Sequence, residues 1–430
     1  MKIVSGRIIS LLICIVVAAA PSAAANFRVV SYLSSQYTGP LGIIEGYPGV
    51  FFSQASPTVF AVSSQGVLTT VASFPSPPYQ LTGPGTSSAN GLVYSSVQED
   101  VNGIVTGSVF SVSAKPGIKA TYPTPNIILL PIVGNLPDGR LYAVGYVTGV
   151  YNLSTVDLNG KVATFYQFPG TDQPKLPIYA GGSYYGLVSS LATGVWTTYF
   201  YRVTPSGVFT KIATLPFITT NLYGADTLVQ AGDGNFYGIQ PPGANQNGAV
   251  FKLTPSGQFT ILHQWGTNDM PSSLILGSDG RLWGTELARN VLFSLTTSGT
   301  YKAEFEMNGS DGLCPCSLVQ GSDGKIYGSA EGGGPQGLGV IFEFDAGLPV
   351  PKPGARAFSP ASGAPGTRVL IWGHNLFDSS VSFNGVPAGK AVSAGPNYLW
   401  VDVPAGDTTG PIMVTTPGGE SITGESFTVN

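Results

Sequence analysis

One unit recurs along this chain, and its spacing constrains the fold more than any other feature. An Asp-Gly turn is followed by an aromatic-Gly pair, a second aromatic strand and another Gly turn, most clearly in the copies that begin at Asp233, Asp279 and Asp323. The first aromatic recurs every 42 to 52 residues, at Phe52, Tyr94, Tyr142, Tyr185, Tyr237, Trp283 and Tyr327. Each unit has four strand-length apolar pieces. Seven such units predict a seven-bladed β-propeller, in which four-stranded sheets repeat radially.

Composition supports an all-β fold. The 430 residues include 58 Gly and 34 Pro, and only 10% are Asp, Glu, Lys or Arg, which disfavours long helices, coiled coils and nucleic-acid binding. The Asp-Gly pairs at 138, 233, 279 and 323 predict type I′ hairpins, which need positive φ at both central residues. Short reversals therefore join the strands, and parallel crossovers are unnecessary.

The two ends of the repeat region complement each other. The seventh unit ends at Phe344 without a fourth strand, whereas Phe27 to Leu33 forms an orphan strand ahead of the first unit. We expect the N-terminal strand to complete the seventh blade and close the ring.

The repeat also resembles a known family. The pattern Asp-Gly-x-φ-Tyr-Gly, then Gly-x-φ-Phe-x-Leu-x-x-x-Gly, is similar to the GloVer-type tandem repeats of secreted bacterial proteins, strongly over 228–344 and loosely over 41–210. This resemblance implies an extracellular, propeller-like protein and supplies no catalytic residues.

A different sequence follows the repeats. Alternating Pro residues at 349, 351 and 353 predict an extended linker. Beyond it, period-2 strands with Gly and Pro turns predict a small immunoglobulin-like β-sandwich. This part resembles IPT/TIG domains, which implies a spacer or a partner-binding unit. The predicted organisation is a signal peptide at 1–25, a propeller at 26–348, a linker at 349–355 and an immunoglobulin-like domain at 356–430.

The first 25 residues predict export. Lys2 and Arg7 precede an apolar run from Ile8 to Ala20 and the small-residue site Ala23-Ala24-Ala25, as in a secretory signal peptide. Elsewhere no run of 18 apolar residues predicts a membrane span. We therefore expect a secreted protein that is extracellular, periplasmic or on the cell surface.

Two cysteines remain after cleavage. Cys314 and Cys316 are separated only by Pro315, and in an oxidising compartment a small, strained disulfide is the favoured interpretation. His263 and His374 are the two histidines of the chain and neither lies near Cys314 in sequence, so no metal site and no cofactor are expected.

Loops on one face carry the candidate binding residues. In an up-and-down blade, the connections from strand two to three and from strand four to the next blade share a face, opposite the short Asp-Gly and Ser-Gly turns. The candidates on that face are mainly carboxylates and aromatic rings, namely Glu99, Asp100, Asp172, Trp196, Tyr223, Asp226, Trp265, Asp269, Glu286, Asp311 and Glu331. An acidic face with exposed rings suits a glycan or an extracellular protein and repels polyanions. Trp283 occupies a repeat position and is expected in the core.

Three functions remain open. The first hypothesis is a non-catalytic recognition protein that binds a glycan or protein on this face. The second is a polysaccharide lyase or glycoside hydrolase that uses carboxylates such as Asp269, Glu286 and Asp311. The third is a structural envelope component. Catalysis has the weaker case, because both histidines occupy positions typical of structural residues and no Ser-His-Asp set can be assembled.

Overall fold

Strands make up the regular structure of this chain. The computed structural model describes residues 26–430 apart from 38, 41, 56, 75–78, 82, 84, 89, 102–103, 125–126, 193, 217–227, 243–246, 267–268 and 392. The described part contains 39 strands and no helix, so it holds no helix able to cross a membrane. The predicted signal peptide lies outside the described residues.

Seven antiparallel sheets follow one another in the described part of residues 26–348. β1 (Phe27–Tyr32) belongs to the last of them. The first sheet contains β2 (Ile43–Tyr47), β3 (Val50–Ala55), β4 (Thr58–Ser63) and β5 (Leu68–Ser73). The second contains β6 (Tyr79–Leu81), β7 (Thr86–Ser87), β8 (Val93–Val101), β9 (Ile104–Val112) and β10 (Ile118–Thr124). The third contains β11 (Ile128–Asn135), β12 (Leu141–Val147), β13 (Val150–Val156) and β14 (Val162–Gln167).

The remaining four sheets repeat this order. The fourth contains β15 (Asp172–Pro174), β16 (Ile178–Ala180), β17 (Ser183–Ser190), β18 (Thr197–Val203) and β19 (Phe209–Leu215). The fifth contains β20 (Val229–Gln230), β21 (Phe236–Gln240), β22 (Ala249–Leu253) and β23 (Phe259–Gln264). The sixth contains β24 (Pro271–Leu276), β25 (Leu282–Glu286), β26 (Val291–Leu295) and β27 (Tyr301–Glu306). The seventh contains β28 (Leu313–Gln320), β29 (Ile326–Gly332) and β30 (Val340–Phe344), with β1 as its outer strand. Two departures from the order occur, since β15 and β16 both pair with β17 and β1 pairs with β30.

The N-terminal strand completes the seventh sheet, as the sequence predicts. β1 runs antiparallel to β30, with Phe27 opposite Phe344. The Phe27 ring stacks on Phe305 of the sixth sheet at a centroid distance of 4.1 Å. Arg28 adds an ion pair of 2.5 Å to Glu343 on β30. The first strand of the chain therefore holds the last sheet through backbone pairing, ring packing and charge.

Apolar cores lie between consecutive sheets and close the series. Phe52 and Phe110 share one core between the first and second sheets, and the other neighbouring pairs repeat this arrangement. A further core joins the seventh sheet to the first, where the rings of Phe51 and Tyr327 are 4.0 Å apart. The seven sheets of the described chain therefore contact one another in a closed cycle.

The Asp-Gly turns explain why an aromatic residue follows four positions after the aspartate in the repeat. Asp323 accepts hydrogen bonds from the backbone N–H of Lys325 and, at 2.8 Å, from the hydroxyl of the buried Tyr327. Asp233 binds Tyr237 in the same way at 2.7 Å. Each carboxylate thus ties the turn to the aromatic side chain four residues later, whose ring lies in a core between sheets.

The predicted type I′ geometry of these turns is wrong. Gly234 has a φ of 78°, but Asp233 is not among the residues with positive φ. The N–H of Gly234 donates to Ala231 O at 3.0 Å, and the N–H of Ala231 donates to Asn235 O at 3.1 Å. This is a three-residue loop with glycine in the left-handed position. Asp233 keeps negative φ because its carboxylate accepts from the N–H of Asn235, two residues on.

The glycine after the repeat aromatic allows a close approach. A Cβ on Gly328 would lie 2.2 Å from Cζ of Phe342, and one on Gly284 would lie 2.3 Å from Cζ of Phe293. Both phenylalanine rings are fully buried. Glycine is therefore a packing requirement in these two sheets, where an aromatic-Gly strand pairs with a following Phe strand.

The C-terminal unit has two sheets around one core. One sheet contains β31 (Gly354–Ser359), β33 (Arg368–His374), β36 (Ser393–Ala394) and β37 (Tyr398–Asp402). The other contains β32 (Ser362–Gly363), β34 (Ser380–Phe383), β35 (Val386–Lys390), β38 (Gly410–Thr416) and β39 (Gly419–Val429). Side chains from both sheets, among them Val369, Phe383 and Phe427, form the core between them.

Candidate functional site

The cycle of sheets has two faces. The turn face carries the connections between the first and second and between the third and fourth strands of each sheet. The loop face carries the connections between the second and third strands and those between consecutive sheets. The turn face is made of tight reversals such as 204–208, whereas connections such as 287–290, 307–312 and 333–339 lie on the loop face.

The C-terminal unit packs on the turn face. Asn397 Nδ2 donates to Ser87 Oγ at 2.7 Å, beside the first turn of the second sheet. Ser278, in the first turn of the sixth sheet, donates from Oγ to Pro349 O at 2.5 Å. Both contacts lie on the same side of the cycle, so the unit and the segment before it lie opposite the loop face.

Several predicted carboxylates are accessible on the loop face. Asp100 and Glu331 are exposed, and Glu99, Asp269 and Asp311 are half-buried. The exposed Glu306, at the end of β27, adds a carboxylate that the sequence analysis missed. Arg289 is a basic residue near this face, with 52% of its side chain exposed, while Lys175 is buried. The acidic character predicted for this face therefore has exposed side chains to support it.

Asp172 does not belong to the accessible set. It is 5% exposed and accepts a hydrogen bond from the hydroxyl of Tyr199. Burial and this carboxylate raise the pKa of Tyr199, so the hydroxyl stays protonated and keeps donating. Asp172 thus holds β18 against the start of the fourth sheet and does not offer its carboxylate to a ligand.

Glu286 and Trp265 form a buried polar cluster, which corrects their predicted role as accessible ligand-binding residues. The side chain of Glu286 is fully buried, and Trp265 is 5% exposed. Glu286 Oε1 accepts from Trp265 Nε1 and from the hydroxyl of Tyr301, both at 2.6 Å. His263 stacks on the Tyr301 ring at 4.3 Å. A carboxylate shared by two neutral donors is a structural link between the fifth and sixth sheets.

Charge around this cluster is only partly balanced. Glu286 Oε2 has no hydrogen-bond partner among the described residues, and Arg289 Nη1 lies 3.7 Å from it. Burial lowers the pKa of His263, which keeps this ring neutral and leaves Arg289 as the nearby cation. With Glu286 enclosed, the carboxylate trio Asp269, Glu286 and Asp311 does not present three open acids to a substrate.

An apolar loop stands out on the same face. Val195 is 62% exposed and Leu191 is 37% exposed, and Trp196 beside them is half-buried. All three belong to the connection between β17 and β18. Trp196 is a residue that the sequence predicts here, whereas Leu191 and Val195 were not predicted, although the sequence places both apolar residues near Gly194 in a loop. Tyr223 and Asp226 lie outside the described residues.

Trp283 is fully buried, as predicted.

No disulfide joins Cys314 and Cys316, which corrects the predicted bridge. Cys314 has a positive φ of 56°, and the register of β28 against β29 shifts between Pro315 and Ser317. The Cys316 thiol lies 3.3 Å from Ser329 Oγ, and burial raises the pKa of this thiol to about 12. The irregular backbone therefore directs Cys316 to the neighbouring strand instead of to Cys314. Among the described residues, no group of three or more His, Cys, Asp or Glu could hold a metal ion.

Comparison with known proteins identifies the repeat and the fold. The Gloeobacter/Verrucomicrobia repeat matches residues 173–350, which include the three clearest copies of the unit. No curated protein sequence matches the chain significantly. Because the family match ends at residue 350, the likeness of residues 356–430 to IPT/TIG domains stays a prediction.

Solved β-propeller structures resemble the chain. A streptogramin B lyase is 14% identical, with a TM-score of 0.53 over 75% of this chain and 98% of the lyase. Virginiamycin B lyase from Staphylococcus aureus is 18% identical, with a TM-score of 0.52 over 74% of this chain and 98% of the lyase. At these identities the likeness shows a shared propeller-like, all-β fold and not a shared activity.

Proposed function

We propose that the chain is a secreted recognition protein that binds its partner on the loop face. In this proposal residues 1–25 direct export, the seven sheets are the blades of one propeller closed by the N-terminal strand, and residues 356–430 form an immunoglobulin-like spacer after a linker at 349–355. The observation that carries the proposal is the position of the C-terminal unit. It packs on the turn face and so leaves the loops of the opposite face available for recognition.

The exposed side chains favour an extracellular protein or peptide over a glycan. Trp265 is enclosed, so the exposed large apolar side chains of this face are mainly aliphatic, namely Val105, Leu191 and Val195, together with the half-exposed ring of Tyr32 and part of Trp196. Exposed aliphatic groups pack against apolar side chains of a protein partner, whereas sugar rings stack on exposed aromatic faces. Acidic residues such as Asp100 favour a partner with basic groups.

Arrays of peptides and of glycans test this proposal. We expect the mature chain to bind peptides that combine basic and apolar residues, and to release no new reducing or unsaturated ends from glycans. Val195→Asp should weaken the binding about tenfold or more, because it places a charge in the apolar contact. Val208→Asp is the matched control, since Val208 is 61% exposed but lies on the turn face. Glycan cleavage would instead support a lyase or hydrolase, and equal loss in both variants would contradict a loop-face site.

A further inference from the structure

A cleft lies between the sheets and the C-terminal unit, on the turn face. Its volume is about 320 Å³. The third sheet contributes the turn residues Asp138 and Arg140 together with Asp157 and Leu158, and the C-terminal unit contributes Leu370 and Trp372. The cleft is therefore large enough for a small organic ligand, and it sits between two structural units, where such sites are common.

The lining combines one aromatic ring with charged groups of both signs. Asp138 and Arg140 form an ion pair of 2.5 Å, in which about half of each side chain remains exposed. The Trp372 ring is half-buried, and its Nε1 is buried without a hydrogen-bond partner among the described residues. The same ring lines an adjoining cavity of about 10 Å³, the size of a single water molecule. A buried indole N–H without an acceptor is costly, and a water in this adjoining cavity can accept its hydrogen bond while the ring face lines the cleft.

We propose that this cleft binds a short neutral carbohydrate of one or two sugar rings. A sugar offers an apolar C–H face to the Trp372 ring and hydroxyl groups to both members of the Asp138–Arg140 pair. Leu158 and Leu370 supply apolar wall on either side. An anion would meet the carboxylates of Asp138 and Asp157, and an apolar ligand would leave the ion pair desolvated, so a polar neutral ligand fits the lining best.

Saturation-transfer NMR and calorimetry with maltose, cellobiose and N,N′-diacetylchitobiose test the proposal. We expect at least one of the three disaccharides to bind the full mature chain with a millimolar or tighter dissociation constant. Trp372→Ala should weaken this binding at least tenfold. Asp138→Asn should weaken it several-fold, because an amide keeps an acceptor for the turn while it removes the charge that orients the hydroxyls.

Two controls separate this site from the loop face and from misfolding. Trp196→Ala changes the loop face and should leave disaccharide binding unchanged, just as Trp372→Ala should leave the peptide binding of the loop face unchanged. Asp138 is half-exposed, so its variant keeps the fold even where Trp372→Ala loosens the C-terminal unit. The proposal is overturned if none of the disaccharides binds at 20 mM, or if Asp138→Asn and Trp372→Ala bind as tightly as the natural chain.

Discussion

Replacement of Gly328 by alanine tests the packing rule of the repeat. The new Cβ would lie 2.2 Å from Cζ of Phe342 and 2.7 Å from each of its Cε atoms, whereas carbon atoms in contact are normally about 3.5 to 4.0 Å apart. Phe342 is fully buried between the sixth and seventh sheets, so its ring cannot move aside without displacing neighbours. Overpacking of this kind costs about 1 to 3 kcal/mol, and we expect the upper part of that range.

Urea unfolding followed by circular dichroism measures this loss. Gly232→Ala is the matched control, because a Cβ there has no neighbour within 4 Å and Gly232 has no positive φ. We expect the control to be neutral or to gain about 0.5 kcal/mol from reduced freedom of the unfolded chain. In the double variant Gly328→Ala/Phe342→Leu, the smaller leucine side chain relieves the clash. The double variant should therefore lose less stability than the two single variants lose together. A Gly328→Ala protein that unfolds at the midpoint of the natural chain would refute the steric argument.

Three further predictions concern the same closed cycle. Tyr327→Phe removes the hydroxyl bound to Asp323 and should lower the free energy of unfolding by about 1 kcal/mol, with an unchanged urea midpoint as the contrary result. Deletion of residues 26–36 removes the strand that pairs with β30 and should cause a large drop in melting temperature. An unchanged melting temperature would contradict the role of β1 in closing the cycle. Burial raises the pKa of the Glu45 carboxyl to about 7, although hydrogen bonds from Gly49 and Ser322 act in the opposite direction. The contribution of the protonated carboxyl to the free energy of unfolding is therefore fully present below pH 4.5 and is lost as the pH rises through 7. Relative to Glu45→Gln, the natural chain should lose about 3 kcal/mol between pH 4.5 and pH 8, and a pH-independent difference would contradict the assignment.

The sequence predicts the strands well because each repeat contains the residues that form its turns and pack its core. The aromatic-Gly pairs, the Asp-Gly turns and the orphan strand at Phe27 each have a local physical reason, and the structure shows sheets at the predicted places. The backbone of the turn itself was mispredicted, because Asp-Gly suits both a two-residue and a three-residue hairpin. The carboxylate contact to the following N–H decides between them.

Burial of the candidate site residues was harder to predict. Glu286 and Asp172 follow the pattern of loop acids in the sequence, yet each accepts a hydrogen bond from a tyrosine and lies in the interior. Such contacts join different strands or sheets, so no local pattern reveals them. The disulfide prediction failed for a similar reason, because the positive φ of Cys314 depends on the irregular pairing of β28.

Hydrogen exchange of the chain with a bound array peptide tests recognition by the loop face most directly. The account predicts slower exchange in 190–197 and 306–312, the connections that carry Val195 and Asp311, with unchanged exchange in the turns 136–140 and 204–208. Protection confined to those turns, or to residues 356–430, would contradict it.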